Sequence, residues 1–151
     1  MLDTESRAIL RHLQNDPTLT APDLAALTGL SAGRVARRLE KLAADGVLLG
    51  QVAVIDWAVL GYAVQVSLRV TLDKTVSRAF DDFLAAARLV PEVLEIQTFL
   101  GRVDVRLSLV ARDLAHYQQI YRDQVLTLPH IADIEALMTV AQIKSDRVLP
   151  L

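Results

Sequence analysis

Apolar residues return at helical spacing three times in the first third of the chain. Ile9, Leu10 and Leu13 form a stripe over residues 4–14; Asp3 is placed to cap it and Asn15-Asp16-Pro17 to stop it. Thr20-Ala21-Pro22-Asp23 combines a capping hydroxyl, a first-turn proline and a carboxylate that can return the bond. It predicts a short helix over 21–28 presenting Leu24 and Leu27. Gly29 supplies the left-handed residue that ends this helix, and Ser31 caps a third one running to about Asp45, with Gly46 closing it. Val47-Leu48-Leu49 and Val52-Ala53-Val54-Ile55 flank Gly50-Gln51 and predict two short strands about a turn.

The period changes after a connector, Asp56 to Tyr62, whose Trp57, Val59 and Leu60 need burial. From Val64 to Leu72 apolar residues alternate with Gln65, Ser67, Arg69 and Thr71, which predicts a strand with one apolar face. Residues 76–89 return to helical spacing. Pro91 breaks them before strands over 93–100 and 103–109, a helix over 113–127 ends at Pro129, and a last strand is expected over 131–143. The order is βαββαβ, an α+β ferredoxin-like sandwich of four antiparallel strands with both helices on one face. Three segments follow: residues 1–55, a winged helix-turn-helix; 56–62, a connector; 63–151, the sandwich.

Composition narrows the chemistry. With 151 residues, 52% of them apolar and 23% charged, the chain is a folded protein. It holds no cysteine, so disulfides, thiolate zinc sites and cysteine nucleophiles are excluded. Its uncharged central stretch, Trp57 to Val64, falls well short of the roughly 20 residues that cross a bilayer. The acidic start, Leu2-Asp3-Thr4-Glu5, lacks the pattern of a signal peptide, and a cytoplasmic location is expected. No P-loop, nucleotide fingerprint or metal-ligand spacing is present, and His12, His116 and His130 fall on separate elements; neither metal nor cofactor is expected.

The net charge of −2 hides a local concentration. Residues 1–50 carry six cations against six carboxylates, yet Arg34, Arg37, Arg38 and Lys41 lie within eight residues whose one carboxylate is Glu40. On a wheel at roughly 100° per residue, with Arg34 at zero, Arg38 lies near 40°, Lys41 near 340° and Arg37 near 300°. Val35, Leu39 and Leu42 fall between about 80° and 140°, so one flank is core and the other cationic. A helix joined by a tight glycine turn to a shorter one is the arrangement that enters the major groove of double-stranded DNA. Ser31, Arg34, Arg37, Arg38 and Lys41 are therefore the candidate DNA contacts, with the Ser31 end of the helix holding a phosphate.

The sandwich offers a polar sheet face, to which Gln65, Arg69, Glu95, Gln97, Asp104, Arg106, Ser108 and Glu135 can contribute. Solvent can cover such a face, or a second sheet can, with charges paired across a two-fold axis. Because a helix-turn-helix usually reads paired half-sites, the second arrangement is favoured.

In this order and spacing the segments resemble the Lrp/AsnC family of transcriptional regulators. The carrying residues are Leu2-Asp3 with Ile9 to Asp16, Leu24-Ala25, Gly29-Leu30-Ser31, Arg34 to Leu39, Leu42, Asp45 to Leu48 and Leu60-Gly61-Tyr62. In the second half they are Val93-Leu94-Glu95, Gly101 with Asp104, Leu128-Pro129, Lys144 and Leu149-Pro150-Leu151. The resemblance implies dimers built through the sheets, assembly to tetramers or octamers, and a small effector, usually an amino acid, between dimers. It places that effector at Leu100, Gly101, Arg102 and Asp104. There Gly101 allows a positive φ and an open backbone N–H for a carboxylate, and Asp104 is placed to accept from an α-ammonium group.

The chain departs from the family pattern in three places: Gln51 stands where an aromatic is usual, Leu100 and Arg102 in the loop before Asp104 stand where a small hydroxylated residue and an acid are commoner, and His130 replaces a frequent glycine. Two rival functions remain. One is an architectural DNA-binding protein without an effector. The other is an enzyme resembling siroheme decarboxylases, which the scattered histidines disfavour.

Overall fold

The computed structural model describes residues 2–145 and 148–151. The chain divides into two compact units, Met1–Val54 with Lys144–Leu151, and Ile55–Ile143.

The first unit contains α1 (Thr4–Leu13), α2 (Ala21–Thr28) and α3 (Ala32–Ala44). Each helix begins on the side chain that local chemistry supplies. Asp3 accepts from the Ser6 N–H, Thr20 and Asp23 complete a reciprocal capping box, and Ser31 accepts from the Arg34 N–H. Gly29 takes φ 72° and donates to the Ala25 carbonyl, giving the sharp turn between α2 and α3. The three helices close over a small core of Ile9, Leu13, Leu24 and Val35, flanked by Leu30, Leu39 and Leu48.

Two features of this unit differ from the sequence reading. The expected wing strands are absent: residues 47–55 form no ladder, and Leu49, Val52 and Val54 are at least 87% exposed. The Val47 and Leu48 N–H groups instead fold back onto the Leu42 carbonyl, prolonging the end of α3, and among the described residues no facing strand pairs with the rest. The tail, assigned to the sandwich, clusters with this unit. The Gln14 amide brackets the Leu149 peptide, donating to its carbonyl (2.8 Å) and accepting from its N–H (2.9 Å), and Arg11 donates to the Leu151 carbonyl (2.7 Å).

The second unit is the expected βαββαβ: β1 (Val64–Leu72), α4 (Ala79–Ala87), β2 (Val93–Thr98), β3 (Val105–Ala111), α5 (Leu114–Ile120) and β4 (Ile131–Met138). The sheet order is β2-β3-β1-β4, with every neighbouring pair antiparallel. Alternation decides which residues are buried. Val66, Leu68, Val70 and Leu72 meet Val105, Leu107, Leu109 and Ala111 on one face, and Phe83, Ala87, Tyr117 and Ile120 from the helices complete the core. The helix expected over 113–127 is α only to Ile120, then widens to a π-helical turn over Tyr121–Val125. The last strand stops at Met138 rather than 143, just before Thr139 donates to Gln65.

His130, where the family pattern has glycine, adopts φ 62°, a left-handed conformation that only glycine takes freely. Its carbonyl accepts from the Asp73 N–H and its ring lies 3.2 Å from the Asp82 carboxylate, contacts that hold the turn into β4.

Candidate nucleic-acid interface and effector loop

Burial of Val35 and Leu42 fixes the rotation of α3 and turns its other side to solvent. Ser31, Arg34, Arg37 and Lys41 are all exposed there. The Ser31 hydroxyl is used as the cap, 3.3 Å from the Arg34 N–H, so its part in any phosphate contact passes to the backbone amides of the first turn. Arg37 bends back to the Gly33 carbonyl (3.2 Å), and among the described residues no carboxylate pairs with it. Lys41 meets Asp45 one turn later at 3.3 Å, a weak solvent-exposed pair.

Arg38 is placed differently from the sequence reading. Its guanidinium turns towards the start of α1, donating to the Asp3 carboxylate (2.7 Å) and the Ser6 hydroxyl (3.0 Å) and meeting Glu5 through its second nitrogen. The side chain is only 22% exposed, and its Nε is buried without a partner. Arg38 therefore ties α3 to α1 instead of standing on the cationic face. Glu5 also reaches Arg34, at 2.8 Å through its other oxygen, and so bridges two arginines one turn apart. The Ser6 backbone N–H, followed by Arg38, holds the Asp3 carboxyl down at about 2, and Asp3 in turn raises Arg38 above its ordinary value. The wheel contains the signal for this placement, since Arg38 is the cation closest to the apolar flank; its carboxylate partners lie on another helix.

In the second unit, Leu100 to Asp104 link β2 to β3. Gly101 has the positive φ expected of it, 159°, a conformation that L side chains rarely adopt. Leu100 is fully exposed. The Arg102 carbonyl accepts from the Thr71 hydroxyl (3.0 Å), which ties the loop to β1. The Asp104 carboxylate is already engaged: one oxygen accepts from the Leu72 N–H (2.9 Å) and the other lies 3.3 Å from Lys74 Nζ. Sequence reasoning misses Lys74, because nothing local connects it to the loop.

The polar sheet face carries charges in register. Arg69 on β1 lies directly opposite Arg106 on β3, a repulsive cross-strand pair, and each is answered from an outer strand. Glu135 on β4 reaches Arg69 at 3.4 Å, and Glu95 on β2 reaches Arg106 at 3.3 Å. The Arg106 Nε is buried and unpartnered.

Residues 2–48 match the winged helix-turn-helix DNA-binding family, and residues 65–149 match the Lrp/AsnC ligand binding domain. The chain belongs to the Lrp/AsnC family. It is 30% identical over 150 residues to the glutamate uptake regulatory protein of Zymomonas mobilis, covering 99% of this chain and 91% of that one. An AsnC family transcriptional regulator from Agrobacterium tumefaciens superposes with a TM-score of 0.89 at 32% identity, covering 99% of this chain and 97% of the other. A transcriptional regulator from Neisseria meningitidis, in complex with L-Met, superposes with a TM-score of 0.92 at 27% identity and the same coverage. This chain is thus a transcriptional regulator with a helix-turn-helix and a ligand-binding domain, and the enzyme reading is set aside. Among the described residues no helix is long and apolar enough to cross a membrane.

Proposed function

We propose that this Lrp/AsnC member is a sequence-specific, cytoplasmic DNA-binding regulator whose α3 enters the major groove. In this reading Arg34, Arg37 and Lys41 supply the cationic contacts, and the amides after Ser31 hold a phosphate. The observation that carries it is the split of α3 into a buried flank, Val35 and Leu42, and an exposed cationic one, directly after the Gly29 turn. The working form is a homodimer joined through the polar sheet face and assembling further to tetramers or octamers. Two apposed sheets would bring the Glu95–Arg106 and Arg69–Glu135 pairs against their symmetry mates. Selection from a random duplex pool is expected to enrich a motif with two half-sites separated by whole turns of roughly 10 bp. Arg69→Glu should leave a folded chain that sediments as a smaller species and loses the paired motif. A pool that enriches nothing, or an Arg69→Glu chain that assembles like its parent, overturns the corresponding claim.

The effector is an amino acid held at Leu100 to Asp104, its carboxylate on the loop amides and Arg102 and its ammonium group displacing Lys74 from Asp104. The L-Met complex of the Neisseria regulator supports the ligand class. The replacement of an acid and a hydroxylated residue by Arg102 and Leu100 favours an apolar or acidic side chain. The engagement of Asp104 with Leu72 and Lys74 favours the second reading, an architectural DNA-binding protein without an effector. Calorimetry against the common amino acids separates the two. Heat from one of them, weakened about tenfold or more by Asp104→Asn, supports the effector site. Asparagine keeps an acceptor for the Leu72 N–H, so the variant tests charge rather than folding. Silence from every amino acid leaves the architectural reading.

A further inference from the structure

Glu5 is the one carboxylate that touches both Arg34 and Arg38 among the described residues. Its geometry sorts the α3 cations into two classes. Arg38 is largely buried and bonded to Asp3 and Ser6 as well as to Glu5. Arg34 is 55% exposed and held by Glu5 alone among its described ion pairs. An exposed pair of this kind is weak, and a competing anion can break it. Arg34 stands in the first turn of α3, next to the amides proposed to hold a phosphate, so a DNA contact there must first displace Glu5.

We infer that Glu5 competes with DNA for Arg34: it occupies the arginine in the free chain, and any complex that uses Arg34 gives up the Arg34–Glu5 pair. A single backbone phosphate returns little more than the pair it replaces. A bidentate guanine contact returns more, because both nitrogens of the guanidinium fork are used at once. Glu5, on α1, therefore weakens binding to every duplex that engages Arg34, and a specific complex, which must break the pair, gives up its full energy. Arg37, with no carboxylate partner among the described residues, carries no such restraint. The inference rests on the proposal that α3 meets DNA.

The test uses the full chain, a duplex of unrelated sequence and the duplex enriched from the random pool. Glu5→Gln keeps the size and helix preference of the side chain and removes its charge. It is expected to bind the unrelated duplex about two- to fivefold more tightly. The slope of log affinity against log salt should steepen by about 0.9 as the freed Arg34 neutralises one more phosphate. Affinity for the enriched duplex, whose complex gives up the pair in full, should rise by at least the same factor. Glu5→Asp, which keeps the charge but shortens the reach to Arg34, should behave like Glu5→Gln. In an Arg34→Ala background the tighter binding should vanish. Tightening confined to the unrelated duplex, tightening that survives Arg34→Ala, or unchanged affinity and slope in chains folded by circular dichroism would each overturn the inference. Arg37→Ala and Lys41→Ala provide the separate control. If they also leave DNA binding untouched, the reading of α3 has failed; if they weaken it while Glu5→Gln does nothing, only the role of Glu5 has.

Discussion

A chain with alanine at Arg34, Arg37 and Lys41 is expected to bind its enriched duplex about 10²- to 10⁴-fold more weakly than the parent, with an unchanged melting profile. Each base-reading arginine is worth about 1–3 kcal/mol of recognition, and contacts sharing one helix combine less than additively. The salt slope should flatten by about 0.9 for every phosphate that the variant no longer neutralises. Stability should hold because all three side chains are exposed and none belongs to the cluster of Ile9, Leu13, Leu24 and Val35. Arg38→Ala is the informative contrast. Its guanidinium ties α3 to Asp3, Glu5 and Ser6, so that variant should lower the unfolding midpoint of the helical unit and weaken DNA binding only as the helices loosen. Electrophoretic mobility shifts over a salt series, read beside denaturation curves, check both. A triple variant that binds like its parent removes α3 as the DNA-contacting element.

The contrast also shows where sequence suffices. Asp3, Thr20 with Asp23, Gly29 and Ser31 act within a few residues of their partners, and each marks a helix end in the structure as the local pattern predicts. The sandwich is equally readable, because period-two alternation in β1 and β3 reports a buried face without any knowledge of the partner strand. The wing is different. A run such as Val52-Ala53-Val54-Ile55 has strand-forming side chains, but a strand exists only where a neighbour supplies a ladder. None does among the described residues.

Site residues are legible by type and not by partner. The cationic cluster of α3 stands out from charge spacing alone, yet the division between Arg38 and the rest depends on Asp3 and Glu5, more than thirty residues earlier. Asp104 reads as an acceptor from sequence, and it is one, but for Leu72 and Lys74 across the sheet. A carboxylate advertises what it can do. Which donor reaches it first is settled by the register of β1 against β3, with the Asp104 N–H also donating to the Val70 carbonyl.

The sandwich core carries the other large expected effect. Phe83, on α4, is completely buried in the cluster that includes Leu68 and Leu107. Its truncation to alanine removes the ring from a packed interior that cannot fully collapse, at a cost of about 3–5 kcal/mol. For a unit of this size each kcal/mol corresponds to roughly 4–8 °C in midpoint, so Phe83→Ala should bring the sandwich close to unfolding at moderate temperature. Leu100→Ala is the matched control: an apolar residue of the same unit, fully exposed, whose truncation should change stability by no more than about 0.5 kcal/mol. The chain holds one tryptophan, Trp57, and it lies in the second unit, so its fluorescence follows the unfolding of that unit without interference from the helical one. A urea titration monitored at Trp57 thus tests the core directly. Should Phe83→Ala cost less than about 1 kcal/mol, the ring is not the keystone that its burial makes it. A Leu100→Ala cost of comparable size to the Phe83→Ala cost would instead mean that the β2–β3 loop is covered in solution, as an assembly through that loop would require.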